Sequence, residues 1–253
     1  GTTLITQTKP IEQRWGGWYV TGTHGSQKHR GNALVRDKNK PDELDTEATQ
    51  NQTDLATKFD TGAYLTPHSD IVALMVLEHQ THMTNLITRV GFETRMALSD
   101  SRAIKKALGE PVEEKSESTL RRINNAAEEL LEYMLFSGEA AITEPIRGTS
   151  GFAEAFGKGG FKDKRGRSLR DLDLTKRIFK YPLSYMIYSE AFDALPAEAR
   201  DRVLRRLWAV LVKGDDKPAF KHLSAADRKA MYEIVTETKK ELPDWWSSSV
   251  STD

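Results

Sequence analysis

The stretch TPHSDIVALMVLEHQTHMTNLITRVGFETRMAL, residues 66–98, gives the clearest indication of fold in the 253-residue sequence. Pro67 suits the first position of a helix, where its missing amide donor costs nothing, and Asp70 follows in the first turn. At about 100° per residue, a set of apolar side chains in this stretch falls on one face. They are Val72, Met75, Val76, Met83, Leu86, Ile87 and Val90. The pattern predicts a long amphipathic helix from Pro67 to about Leu98.

Helical patterns also dominate the rest of the chain, residues 99–253. The predicted segments are Ser118–Phe136, ended by Gly138; a turn at Phe152–Phe156; Pro182–Phe192; Pro196–Val212; and a helix that starts at Ser224 and ends before Pro243. Ser224 and Asp227 have the spacing of a capping box. We therefore expect an all-α domain of five or more helices over residues 67–253, forming one structural unit.

Residues 1–66 look different, because apolar residues are sparse there and no helical period is present. Only Trp18–Thr21 has the aromatic and β-branched content of a short strand. We expect a long, mostly irregular N-terminal arm that is held against the helices by Trp15, Trp18 and Tyr19. Each aromatic side chain buries about 150–250 Å², which is enough to anchor a segment with little regular structure.

Charge and composition exclude several classes of protein. Lys and Arg total 37, and Asp and Glu also total 37. The chain therefore lacks the basic excess with which nucleic-acid-binding domains neutralise phosphates, and we expect no nucleic-acid partner. The longest apolar run, Ile71–Leu77, is far shorter than the roughly 20 residues that span a bilayer, so we expect no membrane span. The absence of cysteine excludes disulfides, thiolate ligands and a C-x-x-C-H haem attachment within this chain.

His79 falls at the centre of the apolar face of the long helix, so we expect it to be buried, with His82 nearer the edge. A buried imidazole needs partners for its nitrogens. Two interpretations stay open: a core histidine bonded to a carbonyl or carboxylate, or a ligand of a metal or haem iron. Glu78, His79 and His82 form a candidate site for a transition-metal ion, although their order differs from that of the H-E-x-x-H zinc proteases.

Two further histidines, His24 and His29, lie in a loop flanked by glycines, which permit sharp turns and close approach to a ligand. We predict that at least two of the four residues His24, His29, His68 and His79 approach one another and contribute to cofactor binding. His222 is expected to be a surface or capping residue. The sequence contains no phosphate-binding loop and no G-x-S-x-G elbow, so it assigns no catalytic residue.

Three runs of residues resemble the C-terminal portion of uncharacterised, exported bacterial proteins. The runs extend from Arg14 to Gly25, from Pro67 to Gln80 and from Tyr181 to Phe192, and the resemblance covers nearly the whole chain. Longer members of that family carry a cytochrome c-like haem attachment motif upstream of this region. The resemblance therefore implies a periplasmic or exported location, an upstream haem-bearing domain as partner, and haem-linked electron transfer, but no particular reaction.

Three functions remain as hypotheses. The first is a haem- or metal-associated module of an exported redox protein, with haem attached outside this chain. In it His24, His29, His68 and His79 supply axial or metal ligands, or hydrogen bonds to them. The second is a helical structural or interaction domain without catalytic activity. The third is a metal-dependent hydrolase that uses the histidine and glutamate side chains of the long helix.

Overall fold

A computed structural model describes residues 4–248, and helices dominate it. In this range the helices are α1 (Ile71–Leu108), α2 (Glu117–Met134), α3 (Phe152–Lys158), α4 (Glu190–Asp193), α5 (Ala197–Trp208), α6 (Ala225–Thr238) and α7 (Trp245–Ser248). One small antiparallel pair joins β1 (Leu34–Val35) to β2 (Leu44–Asp45). The predicted all-α class, with five or more helices after a long and mostly irregular N-terminal arm, is confirmed. Residues 1–3 of the predicted arm and residues 249–253 of the predicted helical domain lie outside the described residues.

The described chain divides into two compact units. The first consists of the chain up to His79, Gly138–Gly160 and Arg170–Lys180. The second consists of Gln80–Ser137, Phe161–Leu169 and the chain from Tyr181 onward. The N-terminal arm therefore belongs to the same unit as the first turns of α1 and two later loops. Within residues 4–248, no helix combines the length and apolar character that a membrane crossing requires.

The start of α1 is fixed by Asp70 and not by Pro67. The Oδ1 atom of Asp70 accepts the backbone N–H groups of Val72 at 2.8 Å and of Ala73 at 3.3 Å. These donors belong to the first turn of the helix, which has no carbonyl partners for them. The side chain of Asp70 therefore acts as the N-terminal cap, and the helix begins at Ile71.

The second carboxylate oxygen of Asp70 accepts hydrogen bonds from a loop that is distant in sequence. Its Oδ2 atom accepts the N–H groups of Thr149 at 2.8 Å and Ser150 at 2.9 Å, and the Ser150 hydroxyl at 2.8 Å. A Cβ atom at Gly148 would lie 2.4 Å from both carboxylate oxygens, so this close approach requires glycine. Thr21 of the arm forms a parallel bridge with Asp70. The carboxylate thus joins the start of α1 to the loop at Thr149 and Ser150, and backbone hydrogen bonds of Thr21 with Ser69 and Ile71 bring the arm to the same point.

α1 continues to Leu108, beyond the predicted Leu98. It ends there because Gly109, with φ 71°, adopts the left-handed conformation that commonly terminates a helix. The phase of the predicted apolar face is correct. His79 is fully buried and His82 is half-buried, as expected.

In the second unit, α2 begins at the cap Ser116 and ends just before Phe136 and Gly138, both of which have positive φ. These bounds agree closely with the prediction. α2 packs along α5. The Glu128 carboxylate of α2 accepts two hydrogen bonds from Arg206 of α5, at 2.7 and 2.8 Å. This bidentate, charge-assisted pair fixes the register of the two helices.

Three other predicted helices are present. α3 extends the predicted turn at Phe152–Phe156 by two residues, to Lys158. α5 together with the π-helical turn Ala209–Lys213 covers most of the predicted segment Pro196–Val212. α6 begins after Ser224, whose hydroxyl and the Asp227 carboxylate complete the expected capping box.

The predicted helix Pro182–Phe192 is wrong as a single element. A 3-10 turn at Tyr185–Tyr188 is followed by the short α4. Ser184 accepts a backbone N–H at the start of the first turn, and Ser189 does the same at the start of α4. Serine favours this capping role over an interior helical position, so two short starts replace one continuous helix.

The predicted strand Trp18–Thr21 is also wrong, since the strands among the described residues are β1 and β2. The side chain of Asn32 pairs with the backbone of Val20 instead, accepting its N–H and donating to its carbonyl, both at 2.7 Å. These bonds occupy the groups that a neighbouring strand would use, and the segment stays irregular.

Trp15 anchors the arm, whereas Trp18 and Tyr19 do not. Trp15 is 4% exposed, and its ring meets the edge of His29 with 5.6 Å between ring centroids. Trp18 is 59% exposed and Tyr19 is 51% exposed. The chain turns between the two tryptophans at Gly17, where φ is 84°, and only the first indole enters the core. The expected anchor of three aromatic residues is therefore corrected to one.

Replacing Trp15 with alanine is expected to loosen the arm, because loss of a buried tryptophan costs about 3–5 kcal/mol. Limited proteolysis should then cleave the arm, residues 4–66, faster than in the parent chain. Trp18→Ala is the matched control, since that side chain is mostly exposed. Equal cleavage rates for the two variants would contradict the anchoring role of Trp15.

Asp70→Asn should destabilise the protein. The NH₂ group of asparagine is a donor, and it would face backbone N–H groups that now donate hydrogen bonds to the carboxylate. Charge-assisted hydrogen bonds contribute about 1.5–3 kcal/mol each, so urea unfolding should show a loss of at least that size. Burial alone would raise the pKa of Asp70, but the bonds from Ser150 and Thr149 hold it below its ordinary value. The stability that these bonds supply should be lost as pH falls through that lowered pKa. Asp42→Asn, at an exposed position, is the control, and equal unfolding midpoints would refute the role of Asp70.

Candidate functional site

The first unit contains a group of buried polar side chains that includes three of the candidate histidines. The members of the group are Thr6, Gln7, Arg14, Thr21, His24, Gln27, His29, Asp70 and His79. Buried polar groups require internal partners, because each unpaired group costs a few kcal/mol. The partners of each histidine therefore decide what it can do chemically.

The structure brings His24 and His29 together. Their ring centroids are 4.8 Å apart and their planes meet at 60°. Both residues lie in the glycine-flanked loop, and both are buried. The prediction that at least two of the four histidines approach one another is confirmed by this pair.

The imidazole of His24 has partners on both nitrogens. Its Nδ1 atom pairs with the carbonyl of Gln27, and its Nε2 atom accepts the backbone N–H of Asn51 at 3.2 Å. These bonds assign the proton to Nδ1 and leave His24 neutral. Burial lowers the pKa of His24, against a smaller opposite effect of the Gln27 carbonyl and the Glu144 carboxylate. His24 is therefore held in one orientation, with no nitrogen available to a ligand.

His29 differs from His24 because its Nδ1 atom is buried and finds no hydrogen-bond partner in the part of the chain that the structure describes. The backbone of Gly31 lies close to the His29 ring and acts against burial, because it favours the protonated imidazole. The main chain of His29 is clamped by Gln50, whose amide accepts the His29 N–H at 3.0 Å and donates to its carbonyl at 3.1 Å. Burial, with a smaller contribution from His24, lowers the pKa of His29 to about 4. His29 is thus a fixed, neutral imidazole at neutral pH.

His79 lies in a second polar cluster of the same unit. Its Nδ1 atom pairs with the Gln7 Oε1 atom at 2.5 Å, and its ring meets the edge of Phe179 at 5.8 Å between centroids. Of the two interpretations left open by the sequence, this geometry matches a core histidine with a side-chain oxygen as partner. The partner is an amide of the arm, which the sequence did not indicate.

Glu78, next to His79, is engaged by a buried arginine. The Arg14 guanidinium is 1% exposed and donates to the Glu78 carboxylate at 3.2 Å, to the Gln7 carbonyl at 3.0 Å and to the Lys9 carbonyl at 2.7 Å. Burial raises the pKa of Glu78 to about 7, although the Arg14 charge acts in the opposite direction. This carboxylate is therefore partly protonated at neutral pH.

The remaining histidines have other surroundings. His82, in the second unit, packs its ring against Tyr133 with 4.5 Å between centroids. His222 pairs through Nε2 with the carbonyl of Leu135 at 2.7 Å, just past the end of α2, so its expected capping role is confirmed. His68 is half-buried beside a cleft of the first unit that contains aromatic side chains.

A three-ligand metal site is absent from residues 4–248, because no three His, Asp or Glu side chains come together there. The candidate set Glu78, His79 and His82 therefore does not converge in this structure. The Glu78 carboxylate pairs with Arg14 and the His79 ring pairs with Gln7, so two of the three candidate ligands have partners within the protein. The neighbours that decide this, Gln7 and Arg14, lie far away in the sequence and belong to no recognisable motif.

A second carboxylate also titrates near neutrality. Burial raises the pKa of Glu139 to about 7, while the Ile178 N–H, which it accepts at 2.8 Å, and the charges of Arg177 and Arg14 favour its ionised form. The folded protein therefore binds a proton at Glu139 more tightly than the unfolded chain does. Its contribution to stability is complete below about pH 4.5 and is lost as pH rises through about 7.

Glu139→Gln should remove this pH dependence, because glutamine keeps an oxygen for the Ile178 N–H and cannot ionise. Compared with the parent chain, the variant should gain stability as pH rises from about 4.5 to 8. Urea midpoints measured across that range test the expectation, with Glu113→Gln at an exposed position as the control. Parallel curves for Glu139→Gln and the parent would show that Glu139 ionises normally.

Comparison of the chain with models of protein families, with curated proteins and with solved structures gives no match. The geometry of its own residues is therefore the basis for a proposed function.

Proposed function

We propose that this chain is a haem- or metal-associated module of an exported redox protein, with His29 as the imidazole that meets the metal. The observation that carries the proposal is the Nδ1 atom of His29, a buried nitrogen without a hydrogen-bond partner among the described residues. Neutral imidazole is the form that ligates haem iron and transition metals. The low pKa of His29 keeps the ring in that form at neutral pH.

Among these histidines, only His29 is proposed as a ligand of haem iron or of a metal ion. His24 and His79 each use their Nδ1 atoms within the protein, and His24 uses Nε2 as well. His24 then has a supporting role, since its fixed ring packs against His29 and limits the orientation of that ring. Bound haem would supply the redox centre, and the resemblance to exported proteins suggests that it is attached upstream of this chain.

Access to His29 depends on the loop that covers it. The Gly31 backbone lies against Nδ1, and a Cβ atom at Gly31 would come within 3.0 Å of that nitrogen and 2.4 Å of a Val20 methyl group. The loop therefore has to move before a metal reaches the imidazole. Trp15 packs against the His29 ring with 5.6 Å between ring centroids and limits the orientations that this ring can adopt.

The helical structural or interaction domain is the second candidate, and a separate observation favours it. His24, His79 and His222 are each bonded to a protein carbonyl or amide oxygen, as expected of histidines that only complete a folded structure. A metal-dependent hydrolase is not proposed, because the described residues bring no three ligands together.

Titration with ferric haem, and separately with Zn²⁺ and Cu²⁺, tests the proposal on the chain alone and on the chain with its natural upstream sequence. The expected result is a Soret band typical of imidazole-ligated haem that disappears in His29→Ala. Because the described residues bring no three ligands together, one equivalent of bound Zn²⁺ or Cu²⁺ is expected only on the longer chain.

His222→Ala is the matched control, since it removes a histidine that is bonded at the end of α2. Circular dichroism and thermal unfolding of both variants show whether the fold survives each change. A Soret band unaffected by His29→Ala would assign haem to another residue. Neither haem nor stoichiometric metal on the longer chain would favour the structural domain.

A further inference from the structure

A cleft of about 400 Å³ in the first unit has no part in the proposed function. We call it the aromatic cleft, and its main lining residues are Trp18, Tyr19, Leu55, Phe59, Tyr64 and His68. Its volume lies in the range of small-molecule binding sites. It shares no residue with the pair His24 and His29.

Three of the four aromatic residues of the cleft are exposed, although each could bury a large apolar area, and Phe59 is half-buried. Tyr64 is 66% exposed, and Trp18 and Tyr19 are also mostly accessible. Tyr19 lies 4.9 Å from Phe59 between ring centroids, at 36°, and Phe59 lies 5.9 Å from Tyr64, at 75°. Clustered exposed aromatic side chains on a folded protein commonly mark a binding surface.

Backbone hydrogen bonds hold the chain in position at Trp18 and Phe59. The Trp18 N–H donates to the carbonyl of the buried Trp15 at 3.0 Å, and the Trp18 carbonyl accepts the Asn32 N–H at 2.8 Å. The Phe59 N–H donates to the Leu55 carbonyl at 3.3 Å. A segment whose backbone is fixed before binding loses less conformational freedom when a ligand arrives.

Hydroxyl groups are the main polar groups of the cleft. They belong to Thr61, Thr66 and Ser69, and no Asp, Glu, Lys or Arg side chain lines this cleft within the described residues. His68 also lines the cleft, but its Nδ1 atom is buried away from solvent. A charged ligand would be desolvated here without a counter-charge, which is unfavourable. The lining therefore suits a neutral ligand that has both apolar faces and hydroxyl groups.

From this combination we infer that the aromatic cleft binds a neutral saccharide. The C–H faces of a pyranose ring pack on aromatic faces, and its hydroxyl groups exchange hydrogen bonds with threonine and serine side chains. A quaternary ammonium ligand also uses aromatic faces, but the absence of a carboxylate from the lining disfavours it. The chemistry is shared by free disaccharides and by the chains of a neutral polysaccharide.

Binding of maltose, cellobiose, xylobiose and N,N′-diacetylchitobiose, measured by calorimetry and by tryptophan fluorescence, tests the inference. A second arm measures depletion of the protein by insoluble cellulose and chitin, which separates free from polymeric saccharide. Trp18→Ala and Tyr64→Ala should weaken any binding by about tenfold or more. Phe92→Ala, at an exposed ring on α1 in the second unit, should change it less than about twofold.

Saturable binding in either arm that both cleft variants weaken supports the inference. Binding that survives both substitutions would place the saccharide elsewhere and overturn the inference. The absence of binding to every probe at about 10 mM, which corresponds to very weak affinity, would also overturn the inference. Tighter binding of choline or of a proline-rich peptide than of any saccharide would also overturn it. The outcome is independent of haem, since His29→Ala should leave saccharide binding unchanged.

Discussion

The carboxylate of Asp70 is the interaction on which the first unit depends. One oxygen starts α1, and the other receives three donors from Thr149 and Ser150. The Thr21 bridge brings the arm to the same point. Because a buried carboxylate is stable only when it is fully hydrogen-bonded, these segments have to assemble together. The arm remains largely irregular, and at Thr21 it is held by backbone hydrogen bonds to Ser69 and Ile71, on either side of the residue that begins the longest helix.

The sequence predicts the parts of this fold that depend on local pattern. The apolar period of α1 is local, and it correctly buries His79 and leaves His82 nearer the surface. The start of α1 was misplaced because both Pro67 and Asp70 suit a helix start, and only the bonds made by Asp70 decide between them. The strand at Trp18–Thr21 failed for a similar reason, because the side chain of Asn32 competes for the backbone of Val20.

The candidate site was less predictable, because its chemistry depends on residues that are distant in sequence. His24 is bonded to Asn51, and Gln50 clamps His29, but neither residue forms a motif with its histidine. The flanking glycines indicated that the loop can turn sharply or approach a ligand closely, and the two histidines do meet there. No pattern of spacing indicated that one would be saturated and the other left with an unpaired nitrogen. That difference arises from the final packing of the loop.

The two carboxylates with raised pKa values alter the charge of the folded protein. The sequence has a formal net charge of +0, which assumes that every acidic side chain is ionised. Glu78 and Glu139 each have a pKa of about 7, so at that pH each is half protonated in the folded state. Folding therefore takes up protons at these two carboxylates. It releases protons at His24, His29 and His82, because burial lowers their pKa values below that of a free imidazole. The carboxylates and the imidazoles act in opposite directions on the net charge, so near neutrality the folded and unfolded forms differ less in charge than either group alone would make them differ.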